Sequence, residues 1–272
     1  MSFTPKKVQS FWLLLLVIVG LVVNVVMHHP DAVAAQPLGQ TSSIKPSIVL
    51  VHGAFADGSS WQRVIPLLER DGYTVTAVQN PLTSLADDVA TTKRVIDAQK
   101  GNVVVVGHSY GGSVITGAAA GNSHVKALVY IAAYTPDAGE TISALNGKYA
   151  LPPLATALVP DTAGFLYVDR AKLHDVFAKD LSTAEARVLA ATQKPLIGAA
   201  FDQTVTSAAW KTIPSWYLVA QEDRAINPEL ERFMAKRIGA KTTEIKSSHV
   251  PFLSHPNEVA KLIEAAATTP VK

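Results

Sequence analysis

Two kinds of hydrophobic pattern alternate along this chain. Short apolar runs at residues 47–51, 103–106, 125–133 and 215–220 are almost free of polar interruption. Each is too short for a helix and apolar on both faces, as expected of strands buried inside a parallel sheet. Two further strands are predicted at 73–78 and 243–246. Between these runs the apolar residues fall at helical spacing. Trp61, Val64, Ile65, Leu67 and Leu68 form one stripe, which Gly72 ends; Leu85, Val89, Val95 and Ile96 mark a helix over 82–99. Small residues from Gly112 onward read as another helix. Asn227-Pro228 opens a helix through Ile238 that Gly239 closes, and 258–267 forms the last one. Strand alternating with helix predicts an α/β class, with a mostly parallel sheet and helices on both faces.

The alternation lapses over residues 137–206. Pro152, Pro153 and Pro160 interrupt the stretch. Helix-like pieces occur at 170–179 and after Ser182, where Ser182 and Glu185 have capping-box spacing. No buried strand pattern is visible. The segment reads as a small helical lid inserted over the strand ends, where it would supply a substrate pocket. Its aromatics Phe165, Tyr167, Phe177 and Phe201 read first as lid core.

The first residues carry a different signal. Lys6 and Lys7 precede a nearly unbroken apolar run over 11–27, which His28-His29-Pro30 ends. Ala32-Val33-Ala34 then offers small residues at the spacing a signal peptidase requires. This predicts a signal peptide over 1–34, a polar leader over 35–46 and the α/β domain over 47–272. The domain is expected to be exported, periplasmic or secreted. The alternative is an uncleaved anchor at 11–27, since that run approaches the length that spans a bilayer.

Composition narrows the chemistry. Hydrophobic residues make up 48% of the chain and charged ones 17%, enough apolar material for a sizeable core. The net charge is +2 without a Lys/Arg cluster, so nothing points to nucleic acid. The absence of cysteine excludes disulfides, thiolate catalysis and cysteine-based metal sites. No histidine pair has helical metal-ligand spacing, and neither a Walker loop nor Gly-x-Gly-x-x-Gly occurs. No metal and no cofactor is therefore expected.

What remains is a nucleophile. The valine strand at 103–106 runs into Gly107-His108-Ser109-Tyr110-Gly111, which fits Gly-x-Ser-x-Gly between a strand and a helix. Such a turn presents a serine hydroxyl above the sheet edge, beside the positive end of the following helix. A serine needs a base to take its proton, and that base needs a carboxylate to hold its tautomer. His249 follows the last strand. His52 and His108 lie too close along the chain to address the Ser109 hydroxyl, and His124, His174 and His255 fall at helix ends or surfaces. Asp223 and Glu222 both follow the strand at 215–220; adjacent residues point apart, and the shorter Asp223 suits a tight loop. An oxyanion hole would take the Tyr110 N–H and, from the loop after the first strand, the N–H of Ala54 or Phe55.

With these residues placed, the chain resembles the α/β-hydrolase fold superfamily. It is similar in particular to the branch of plant methylesterases (the salicylate-binding esterase type) and hydroxynitrile lyases, with their bacterial esterase-like relatives. The resemblance rests on Val51-His52-Gly53-Ala54, Gly58-x-x-Trp61, the 107–112 turn, residues 132–137, Glu222-Asp223 and residues 245–249. It implies Ser109 as nucleophile, His249 as base, Asp223 as its partner, and the Ala54 and Tyr110 N–H groups as oxyanion donors. The lyases of this branch need a lysine after the histidine and a threonine after the first strand. Here those positions hold Val250 and Gly53, which favours hydrolysis. The lid matches poorly, so substrate identity does not carry over. The expected activity is that of a serine hydrolase cleaving a small carboxylic ester through an acyl-enzyme. Two other classes use the same framework: a cofactor-free oxygenase or perhydrolase, and a non-catalytic small-molecule binder. The expected partner is a small-molecule ester, with membrane contact only through an uncleaved first segment.

Overall fold

A computed structural model of the protein describes residues 45–269. The expected signal segment, the alternative anchor and most of the leader lie outside the described residues. From Lys45 onward the chain lays down β1 (Ser47–Val51), α1 (Ile65–Arg70), β2 (Val75–Ala77), α2 (Leu85–Asp97) and β3 (Val103–Ser109). Next come α3 (Tyr110–Ala118) and β4 (Val125–Ala133). The insertion then contributes α4 (Ile142–Asn146), β5 (Leu158–Pro160), β6 (Phe165–Val168), α5 (Leu173–Phe177), α6 (Thr183–Thr192) and β7 (Leu196–Ile197). β8 (Ser215–Ala220), α7 (Pro228–Arg237), β9 (Lys241–Ile245), α8 (Pro251–Ser254) and α9 (Pro256–Thr268) complete the described chain.

The main sheet has the order β2-β1-β3-β4-β8-β9, and every pairing in it is parallel. β1, β3 and β8 are buried along their whole length, which is why their sequences are apolar at consecutive rather than alternate positions. β9 closes one edge with an exposed Lys-Thr-Thr-Glu face, polar enough to discourage pairing with another chain.

Topology sets where chemistry can occur. From β1 the chain steps outward to β2, then crosses back over β1 to β3. Right-handed crossovers then place α1 on one face and α2 and α3 on the other. The packing agrees: α2 lies on α3, and α1 lies against α9. At such a reversal the loops after β1 and β3 diverge to opposite faces, leaving a crevice at the carboxyl ends of the two strands. The His52–Ala54 loop and the Ser109 turn both border that crevice.

The insertion departs from the expected helical lid in one respect. Its helices are present, and the capping box formed by Ser182 and Glu185 is complete. It also contains an antiparallel three-stranded sheet, β5-β6-β7. These strands have at most four residues, one ends at Pro160, and most of their positions are only partly buried or exposed. Neither a continuous apolar run nor a clean alternation survives in such short segments, so the periodicity that revealed the main sheet had nothing to act on.

Candidate active site

Ser109 ends β3 and immediately precedes α3 with φ 52° and ψ −123°, a left-handed conformation that a side chain rarely adopts. The surrounding glycines make the turn possible by their missing side chains. A Cβ on Gly107 would lie 2.6 Å from the Gly111 carbonyl oxygen, and one on Gly111 would lie 2.6 Å from that of His52. The β1 loop presses equally close from the other side. A Cβ on Gly53 would stand 2.8 Å from the Ser109 Cβ.

The structure brings Asp223 and His249 together. His249 follows β9 and Asp223 follows β8, and the His249 Nδ1 donates to Asp223 Oδ2 at 2.5 Å. Both side chains are buried. Asp223 is held by its own loop, its Oδ1 accepting the N–H groups of Ala225 at 2.6 Å and Ile226 at 2.9 Å. Glu222, its competitor, is exposed and faces Lys246 at 3.6 Å. With Nδ1 donating to a carboxylate, the lone pair of His249 is left on Nε2. That nitrogen is buried and has no hydrogen-bond partner among the described residues, so the Ser109 hydroxyl and His249 are not hydrogen-bonded in this structure. Such contacts are commonly long before substrate arrives.

The other histidines near the crevice are structural. His108 Nε2 donates to the His249 backbone carbonyl at 2.8 Å, and the two rings lie 4.6 Å apart. Burial, and then the neighbouring His249, hold the His108 imidazole well below its ordinary range, so it stays neutral. His52 Nε2 accepts the Asn80 N–H at 3.0 Å while Nδ1 bonds the Gly53 carbonyl at 2.8 Å. Burial lowers His52 to about 4. His52 therefore fixes the loop that bears Ala54 and does not serve as a base.

Among the described residues, neither of the expected oxyanion donors, the Ala54 and Tyr110 N–H groups, donates to a backbone acceptor outside the regular elements. Tyr110 opens α3, whose first N–H groups lack intrahelical acceptors. Its hydroxyl donates to the buried Asp88 of α2 at 2.7 Å, which anchors the start of the helix. Phe55, the alternative to Ala54, has a positive φ of 62°.

Sequence reasoning did not single out the contacts between lid and site. Phe177 of α5 stands edge-on to the His249 ring at 4.8 Å, and Phe55 packs against Phe177 at 6.3 Å. Beside them a cavity of about 220 Å³ runs between the core and α6, bordered by Phe55, Phe177, Val188, Val250 and Phe252. Lid residues also bond the neighbours of both Asp223 and His249. Arg224 bridges to Asp175 at 3.0 Å, and its carbonyl accepts the Leu154 N–H at 2.9 Å. Asp180 accepts both the N–H of Ser248, at 2.9 Å, and its hydroxyl. Losing bonds to a charged acceptor costs about 1.5–3 kcal/mol. Asp180→Ala is expected to lower the melting temperature and, by loosening the residue before His249, to lower kcat about tenfold. Steady-state kinetics with a melting curve check this; an unchanged kcat would separate the lid from the His249 loop.

Known proteins share this framework along most of its length. A profile described as the alpha/beta hydrolase family matches residues 48–262. A probable hydrolase of Phoma sp. is 27% identical over 245 residues, covering 82% of this chain and 98% of that protein. Salicylic acid-binding protein 2 of Nicotiana tabacum is 27% identical over 254 residues, covering 80% and 96%. Among solved structures, a pyrethroid hydrolase from Sphingobium faniae superposes with a TM-score of 0.70 at 23% identity, over 83% of this chain and 98% of that one.

Proposed function

Because the chain belongs to the alpha/beta hydrolase family, we propose that it cleaves a small carboxylic ester by way of a Ser109 acyl-enzyme. The observation that carries this reading is the Asp223–His249 bond, which leaves the buried His249 Nε2 as the unengaged base next to the Ser109 turn. The names of similar proteins point the same way: a carbendazim hydrolyzing esterase of Nocardioides, a pyrethroid hydrolase of Sphingobium and plant methylesterases.

In the first step the Ser109 oxygen attacks the ester carbonyl as His249 Nε2 takes its proton. Negative charge gathers on the carbonyl oxygen, where the Ala54 and Tyr110 N–H groups stabilise it without having to reorganise. The proton then passes from His249 to the leaving alcohol, and Asp223 stabilises the imidazolium meanwhile. Water, activated by the same Nε2, hydrolyses the acyl group and restores the serine. The aromatic wall of Phe55 and Phe177 favours an apolar substituent near His249. We propose further that residues 1–34 direct export, leaving the domain over 47–272. The support is the Lys6-Lys7, apolar run and Ala32-x-Ala34 pattern; sequencing the amino terminus of the exported protein tests it.

The test of the chemistry is turnover of p-nitrophenyl acetate, butyrate and octanoate by the purified protein, with intact-mass measurement under substrate excess. The expected result is p-nitrophenol release with an acyl mass increment that maps to Ser109. Turnover without any acyl adduct on Ser109, under conditions that trap acyl-enzymes, would refute the covalent route.

A further inference from the structure

Behind Asp223 stands a second carboxyl for which the mechanism above has no use. Glu231, one turn into α7, is fully buried. Its Oε2 accepts the N–H of Ala220, the last residue of β8, at 3.1 Å. Its Oε1 is buried with no hydrogen-bond partner among the described residues, and the carbonyl of the same Ala220 accepts the Asp223 N–H at 3.1 Å, so one residue ties both acids together. Asp223 already accepts three hydrogen bonds, from Ala225, Ile226 and His249. Two buried carboxyls are thus neighbours.

The groups that face Glu231 do not resolve this with a positive charge. Tyr217 of β8 uses its hydroxyl on Ala133, accepting the N–H at 3.1 Å and donating to the carbonyl at 2.5 Å. Tyr134 donates to Asn146 at 3.1 Å. Arg232, next along α7, turns outward to Glu229 at 2.7 Å and Glu244 at 2.7 Å. On the far side of Asp223 is His249. Two neighbouring anions at such a place cannot both persist, and one must hold a proton. Burial, and then the adjacent Asp223, push the Glu231 carboxyl well above its ordinary range. A protonated Oε1 would also become the donor that removes the one unmet hydrogen bond of this side chain.

We propose that Glu231 is a positioning residue, held as the neutral acid, whose Oε1–H donates to the Asp223 carboxylate and fixes it against His249. The inference rests on the reading of Asp223 and His249 given above. The role of Glu231 is geometric: Ala220 orients one of its oxygens, and the unpartnered one is left for Asp223. The expected consequence is that the Asp223–His249 pair carries a single negative charge shared over three groups. A carboxylate that is bonded on every side has little freedom to swing away from the imidazole.

The proton leaves a thermodynamic mark that does not depend on activity. Between the ordinary glutamate value of 4.5 and the raised folded value, the folded state holds a proton that the unfolded state has lost. The stability Glu231 provides is complete below about 4.5 and is lost as pH rises toward the folded value. E231Q keeps an acceptor for Ala220 and a donor for Asp223 but has no proton to lose. The apparent melting temperature of E231Q minus that of the wild type is therefore expected to increase from pH 5 to pH 8, by at least about 5 °C. Titrating groups remote from Glu231 cancel in the difference. In kinetics, E231A should lower kcat about tenfold with KM nearly unchanged, and E231Q should restore it. A difference in melting temperature that stays flat with pH would overturn the neutral acid, and equal kcat in E231A and wild type would overturn the positioning. Were the protein to cleave none of the esters tried, the melting series would still decide the proton on Glu231, so the two failures are distinguishable.

Discussion

Ser109→Ala is expected to lower kcat for ester hydrolysis by about 10⁶-fold and to leave both KM and the melting temperature close to wild type. The size follows from the place of the residue in the reaction. If the acyl group must pass through the Ser109 oxygen, no other described group can replace it, and what remains is the rate that binding and the oxyanion N–H groups alone can sustain. The small structural cost follows from the surroundings. Alanine keeps the Cβ that packs against Gly53, and it must adopt the same left-handed backbone that the turn already imposes on serine. The hydroxyl it removes makes no hydrogen bond to His249, so no buried partner is newly abandoned. Kinetics on p-nitrophenyl butyrate with a parallel melting curve decide the matter. A variant that stays folded and keeps more than about one part in a hundred of kcat would mean that His249 acts directly on water or substrate.

The parts of this site that could be read from sequence are those whose cause is local. Four valines leading into Gly-x-Ser-x-Gly leave the chain little choice but a buried strand and a tight turn, and β3 ends at Ser109. β4 and β8 have the bounds their apolar runs predicted, 125–133 and 215–220. Adjacent residues point apart, so only one of Glu222 and Asp223 could face His249, and the shorter side chain favoured Asp223; Asp223 is buried and Glu222 is exposed. Helix starts were less legible. The stripe from Trp61 starts at the end of a 3₁₀ turn over Gly58–Trp61, and α1 begins only at Ile65, because apolar spacing does not distinguish one tight turn from another. The lid sheet was invisible for lack of length.

Glu231 escaped for a different reason: glutamate in a charged helix reads as surface. Its neighbours Glu229 and Arg232 are indeed paired at the surface. Yet Leu230, Met234 and Ala235 are buried, and at 3.6 residues per turn position 231 shares their face. A charged residue inside an apolar stripe, on the helix that follows the expected catalytic acid, was the available signal. It shows only when the helix is read by face and not by composition.

Asp223→Asn is the second large effect expected, about 10⁴-fold in kcat at neutral pH, and the hydrogen bonds around the side chain dictate why. The Oδ1 position receives the N–H groups of Ala225 and Ile226, so only an oxygen can occupy it. The amide nitrogen of asparagine must then take the Oδ2 position, facing His249 Nδ1. That nitrogen donates, so the imidazole has to accept there and carry its proton on Nε2 instead. An Nε2 bearing hydrogen cannot take the proton of Ser109. The fold should survive, since the substitution is nearly isosteric and Glu231 can still donate to the amide oxygen or accept from the amide nitrogen. A melting temperature near wild type together with a loss confined to kcat is therefore the expected pair of results. A loss of less than about a hundredfold would mean that the tautomer of His249 is set elsewhere, by the His108 contact with its backbone or by the packing of Phe177 on its ring.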